Sequence, residues 1–178
     1  AYCFLGYPTA LAEGFPVPDS SGLASGDDQD SAIERSIFEV IERDAVSIWW
    51  YGRVRRPPMQ LAHDRIPCWE AFAAWIKSCG RKFWILDLTH DLAVPVAAAI
   101  SCNADGTDVS FGFAAARTRE VAALAAMGEL VQFELTKRLQ AQQGANPQGG
   151  FLAWCRSARL AQHEFLRPHD TAAAPRTH

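Results

Sequence analysis

Residues 117–143 contain no proline, and the stretch from Val121 to Gly128 is nearly all small apolar residues. Alanine is the strongest helix former, so the segment Arg117 to Gln143 is predicted to be one long helix despite Gly128. Small side chains on such a helix let its backbone approach a neighbour closely, so one side of it must be buried. Glu129 emerges directly from this stretch and stands one turn before Gln132. A carboxylate set in apolar surroundings needs a partner, which distinguishes Glu129-x-x-Gln132 from a pair on a solvated helix.

The remaining segments fall around this helix. Asp30 or Ser31 to about Tyr51 has no Gly or Pro and carries apolar residues at helical spacing; Asp27, Asp28 and Asp30 sit where a helix N-terminus favours acids. Residues 52–67 hold Arg53, Arg55, Arg56, Pro57 and Pro58 and are predicted to be a loop with its arginines in solvent. Cys68 to Cys79 reads as a second helix, ended by Gly80. Three apolar runs, Lys82 to Thr89, Val94 to Cys102 and Val109 to Ala115, read as strands, and Tyr2 to Tyr7 as a further short one. After a linker from Gly144 to Gly150, Phe151 to Phe165 is predicted to be helical. The expected class is α+β, a mixed sheet packed with long helices, over residues 1–167, with 168–178 a flexible tail.

Composition removes several functions. The 178 residues carry 17 Lys+Arg against 20 Asp+Glu, a formal charge of −3, which gives no general attraction to nucleic acid or to an anionic membrane. Apolar stretches are broken well short of the roughly 18 residues a spanning helix needs. Five cysteines without a C-x-x-C pair argue for reduced thiols and a cytoplasmic setting. The five histidines show no zinc-ligand spacing, and no P-loop or G-x-G-x-x-G sequence is present. The chain starts with Ala1, so either processing removed the initiator or the chain begins inside a longer polypeptide.

The first long helix holds the other candidate. At about 100° per residue, Ile33, Ile37, Val40, Ile41 and Ile48 share a face, which is expected to meet the core. Ser36, Glu39, Glu42 and Arg43 lie roughly opposite. Two carboxylates one turn apart suit a hard divalent cation, Arg43 suits a phosphate, and Ser36 can hydrogen-bond the same ligand. The alternative is an ordinary solvated helix face. Ser20 to Gly26, rich in Gly and Ser before this helix, can cradle an anion or be only a turn.

Together these residues resemble the YcaO family. Ser21-Gly-Leu-Ala-Ser-Gly26, Ala32-Ile33, Ser36-x-x-Glu39-x-x-Glu42-Arg43-Asp44-Ala45 and Trp49-Trp50-Tyr51 are similar to its signatures. Asp87-Leu-Thr89-x-Asp91-Leu-x-Val-Pro95 is similar to a segment of its peptide-modifying members, and Glu129-x-x-Gln132 matches its later E-x-x-Q. The resemblance implies ATP-dependent modification of backbone amides in a ribosomally made peptide, forming azoline rings. It implies Mg2+ ligation by Glu39, Glu42 and Glu129, a phosphate contact at Arg43, and a nucleotide site completed by Ser36, Glu129 and Gln132. The expected cofactors are ATP and Mg2+; the expected partners are the precursor peptide and another YcaO-derived chain supplying the missing segments.

The chain also departs from the family. Ala125 stands where the family has an arginine four residues before the Glu of E-x-x-Q, and Ser21 stands where it has an asparagine. Segments upstream and downstream that the family uses are not among these residues, so the chain is expected to be one portion of a YcaO protein or one subunit of a split one. Two alternatives therefore stand beside a cyclodehydratase subunit: a non-catalytic scaffold binding leader peptide or partner, and a thioamide- or amidine-forming enzyme.

Overall fold

The computed structural model describes residues 20–144 and 150–169. The N-terminal run Tyr2 to Tyr7 and the tail beyond His169 lie outside the described residues. Helix α1 spans Gln29–Gly52 and starts where Asp28 accepts a hydrogen bond from the Ser31 N–H at 2.7 Å. That contact holds the Asp28 carboxyl below the usual carboxylate range, as expected of an N-cap. Helix α2 spans Trp69–Ser78, helix α3 Arg119–Gln142 and helix α4 Gly150–Ser157. Thr118 caps α3 by accepting from the Val121 N–H. The helix expected from Phe151 to Phe165 ends at Ser157; two single 3-10 turns, Leu160–Gln162 and Glu164–Leu166, finish the segment. They bury Leu160, Phe165 and Leu166, a task that a straight continuation of α4 would not serve.

Strands β1 (Arg81–Asp87), β2 (Val96–Asn103) and β3 (Ser110–Ala115) form one sheet in the order β1-β2-β3. Both pairings are antiparallel, so the α+β class holds while the sheet is antiparallel rather than mixed. Short turns join consecutive strands, and short turns permit only antiparallel neighbours.

Helices cover both faces of the sheet. Val96, Ala98, Ile100 and Cys102 of β2 pack with Ala45 and Trp49 of α1 and with Cys155, Phe165 and Leu166. Ala97 and Ala99 face the other way, toward Ala122, Ala123, Ala126, Met127 and Leu130 of α3 and Phe72 and Ile76 of α2. The alanines let α3 lie very close. A Cβ added at Gly112 would fall well inside contact distance of the Ala126 carbonyl oxygen and the Leu130 nitrogen. The small residues of 121–128 therefore serve the close approach their sequence implied.

At one end of the sheet a closed ion network joins strands to α3. The Arg81 guanidinium pairs with Glu134 at 2.7 Å and Asp108 at 2.9 Å, and Lys137 pairs with Asp108 at 2.6 Å. Ser101 donates to Glu134, and Lys137 donates to Ser110. Every buried charge is thus met by an opposite one, which is the condition for burying it at tolerable cost.

Candidate functional site

The open edge of β3 organises the site. Among the described residues β3 pairs only with β2, so alternate N–H groups on its other edge need partners. Val109 donates to the Cys155 carbonyl at 2.9 Å. Phe113 donates to the Glu129 carboxylate at 3.0 Å, and Ala115 donates to Glu42. Helix α1 lies on one face of the sheet and α3 on the other. Carboxylates from the two helices therefore converge on a single strand edge.

Of the face of α1 expected to meet the core, only Ile41 packs against it. Ile33, Ile37, Val40 and Ile48 are exposed, while Ala45 and Trp49 are buried with Glu42 on their side. Trp49 decides the orientation. Its ring packs on Phe111, Phe113 and Phe165, and its N–H donates to the Phe165 carbonyl at 3.2 Å. Glu42 is consequently no solvated helix charge. Burial, then the nearby Glu129 and Glu39 carboxylates, push its pKa up to about 7.

The Gly- and Ser-rich loop before α1 is built onto the same motif. Ser36 donates to the Gly22 carbonyl at 2.6 Å, and the Gly22 N–H donates to Glu39. Arg43 pairs with Glu39 and donates to the Ser20 hydroxyl at 2.8 Å. Gly22 has a φ of +76°, in the left-handed region, and a Cβ added there would meet Val40 and Ser36. The spacing Ser36, Glu39, Arg43 is thus what one helix flank needs to hold a loop across it. Ser36 reaches the loop backbone, so its direct contact in this structure is structural.

Gln132 stands on α3 one turn beyond Glu129, away from the α1 side chains. With Glu129, Thr136 and the rings of Phe111, Phe113, Phe133 and Phe151 it lines a cavity of about 370 Å3. Among the described residues, no three His, Cys, Asp or Glu side chains stand together as a ready metal cage. Glu39, Glu42 and Glu129 are each tied to a backbone N–H instead, close enough for their charges to act on one another.

The segment Asp87 to Pro95 sits at the same end of the sheet. Arg56, assigned to solvent from its sequence, is partly buried and donates to the Asp87 carbonyl at 2.9 Å and to that of Thr89. Asp87 accepts from the Thr89 N–H, and Thr89 from the Val96 N–H. His90 lies 2.6 Å from Asp91 and 3.7 Å from Asp44. Ser20 and Gly22 belong to the Gly- and Ser-rich loop that the sequence singled out, whereas Arg56 had no distinguishing pattern and only its contacts show its part.

A family model, described as YcaO cyclodehydratase, ATP- and Mg2+-binding, matches residues 1–178. The chain belongs to the YcaO family. A heterocyclase solved in complex with substrate and cofactor matches at 32% identity with a TM-score of 0.78, covering 98% of this chain and 23% of that one. The heterocyclase TruD matches at 30% identity and a TM-score of 0.75, covering 98% and 24%. An uncharacterised protein of Methanothermobacter thermautotrophicus (strain Delta H) is 26% identical over 159 residues, 86% of this chain and 41% of that protein. The chain thus spans about a quarter of the heterocyclases and two fifths of the archaeal relative.

YcaO proteins bind ATP and Mg2+. The donor set here fits that metal: oxygen ligands, an excess of negative charge, and a carboxyl whose pKa is raised by burial and by the neighbouring Glu129 and Glu39 carboxylates. Among the described residues no helix is long and apolar enough to cross a membrane.

Proposed function

We propose that this chain contributes the carboxylate-bearing part of an ATP-dependent enzyme that activates backbone amides of a ribosomally synthesised peptide and closes azoline rings. The observation that carries this is the meeting of Glu42 from α1 and Glu129 from α3 on the open edge of β3, beside Arg43. Glu39, Glu42 and Glu129 are the residues to hold Mg2+, and Arg43 the cation to hold phosphate oxygens. Gln132 borders the nucleotide, and Ser36 keeps the Gly22 loop in place. Bound Mg2+ supplies neutralisation of charge on the transferring phosphoryl group.

The chemistry accounts for the use of ATP. A thiol or hydroxyl of the peptide adds to a backbone carbonyl carbon, and the resulting oxyanion takes the γ-phosphoryl group of ATP, releasing ADP. The C–O bond then breaks and phosphate leaves with the former carbonyl oxygen, the amide nitrogen gives up its proton, and a C=N bond forms in the ring that the addition closed. The peptide loses one water overall. Phosphate is a good leaving group where an amide oxygen is a poor one.

The partners proposed are the precursor peptide and another YcaO-derived chain that completes the site. Four free cysteines among the described residues agree with a reducing, cytoplasmic setting. Ala125, exposed one turn before Glu129 where the family carries arginine, favours a second reading as a non-catalytic scaffold. Incubating the assembled complex with MgATP and a Cys-containing precursor peptide separates the outcomes by mass. Loss of one water with ADP release supports ring formation. Exchange of oxygen for sulfur points to a thioamide, and no ATP consumption points to the scaffold.

A further inference from the structure

Helix α1 carries apolar side chains on two faces, and the described fold covers one. At about 100° per residue, Phe38, Glu42, Ala45 and Trp49 share the sheet-facing side, while Ile33, Ile37, Val40, Ile48 and Tyr51 form a narrow stripe on the other, interrupted by the exposed carboxylate of Asp44. The four aliphatic residues of that stripe are 49–53% exposed, Tyr51 is 83% exposed, and Leu23 of the docked loop extends the patch. A helix apolar on both sides is one built to be covered on both sides.

Charge describes what covers it. Ser36 and Arg43 lie on the flank between the stripe and the carboxylates. Arg43 pairs with Glu39, but the neighbouring Arg117 and Arg119 are already directed to Glu34 and Asp87. Three carboxylates with one bonded guanidinium leave this flank negative. A second copy of the same chain would bring a second negative flank toward it. Size points the same way. A 24-residue helix is about 36 Å long, so a stripe about 10 Å wide offers a few hundred Å2, below the roughly 800 Å2 per partner of a stable interface. The partner must extend off the stripe, and the carboxylate flank is adjacent.

We propose that the outer stripe of α1 is the docking face for another YcaO-derived chain, apolar along most of the contact and basic where it meets Asp44 and overhangs Glu39. Docking and completion of the nucleotide site are then one event. The identity of the partner rests on the function proposed above; the apolar and basic character of its contact surface comes from the stripe and the charges themselves. The match over 98% of this chain but only 23% of the heterocyclase agrees with most of such a fold lying outside these residues.

The test uses the full 178-residue chain and, as probe, the remainder of a heterocyclase of the matched kind expressed as a separate chain without the corresponding segment. Light scattering should show a one-to-one complex, or co-expression should bring an otherwise insoluble probe into solution. The double variant Ile37→Lys/Ile48→Lys should keep the wild-type melting temperature, because both side chains are half exposed, and bind the probe about 100-fold more weakly. A wild-type homodimer broken by the same variant overturns the proposal in favour of a second copy. Undiminished binding by the variant, or neither binding nor rescue by the wild type, overturns it outright. The binding readout needs no ATP, so a complex that forms but turns over no ATP sinks the proposed activity and leaves the interface standing.

Discussion

Glu42 carries a structural cost at a position proposed to hold the metal. Its carboxyl is raised from 4.5 to about 7, so between those values the folded chain binds more protons than the unfolded one. The charged form therefore costs stability that is fully felt above pH 7 and relieved as the pH falls through that window. For a part-exposed group the cost is about 1–2 kcal/mol, after discounting the roughly 1.4 kcal/mol per pKa unit for solvent screening. Glu42→Gln should stabilise the metal-free chain by that amount in denaturant melts at pH 8 and leave it nearly unchanged at pH 5. The same substitution should abolish peptide modification in the assembled enzyme; retained wild-type modification would remove Glu42 from the metal site. Arg43→Lys tests the other side of the motif. A guanidinium bridges Glu39 and Ser20 and can hold two phosphate oxygens, which an ammonium cannot. Nucleotide affinity of the complex should fall about tenfold with little change in melting temperature, because Arg43 is half exposed; unchanged affinity would make it a surface ion pair.

At the scale of elements, α3 and β3 are held at a separation that only glycine permits. Gly112→Ala must push the strand away from the Ala126 and Leu130 backbone, and α3 carries Glu129. A loss of about 3 kcal/mol or more is expected in chemical denaturation, as for overpacking against rigid backbone. A variant of wild-type stability would mean the helix can slide. Helix α1 depends more locally on its cap. Asp28→Ala removes the acceptor for the Ser31 N–H and should lower the denaturation midpoint at neutral pH. Because the Asp28 carboxyl is held below its ordinary pKa, its contribution is present above that value and lost on acidification below it. The difference between wild type and variant should therefore vanish in strongly acidic melts.

For the whole molecule, three neighbouring carboxylates with a single cation, Arg43, beside them predict weak binding of the metal–nucleotide complex by the lone chain. Millimolar MgATP should raise its melting temperature by less than about 2 °C, since ligand stabilisation grows only as the logarithm of concentration over Kd. Tight calorimetric binding by the isolated chain would show that the site is complete without help.

The sequence by itself singled out the residues proposed to carry the chemistry. Ser36, Glu39, Glu42, Arg43 and the pair Glu129–Gln132 were legible because helical spacing is local and their order is a family signature. It also determined most helix and strand positions and the close packing of 121–128, since small apolar residues in a proline-free run have few other uses. Tertiary structure decided which face of α1 is buried. Apolar periodicity favoured Ile33, Ile37, Val40 and Ile48, but Trp49 fills the aromatic pocket over the sheet, and the β3 edge offers Glu42 a backbone donor. It decided that Arg56 is bound, that Ser36 serves a loop, and that Arg81, Asp108, Glu134 and Lys137 form one buried network. Each of these depends on groups far apart in the chain. Periodicity reports which residues share a face; which face meets the core depends on the partner surface waiting there, and that surface exists only once the sheet has formed.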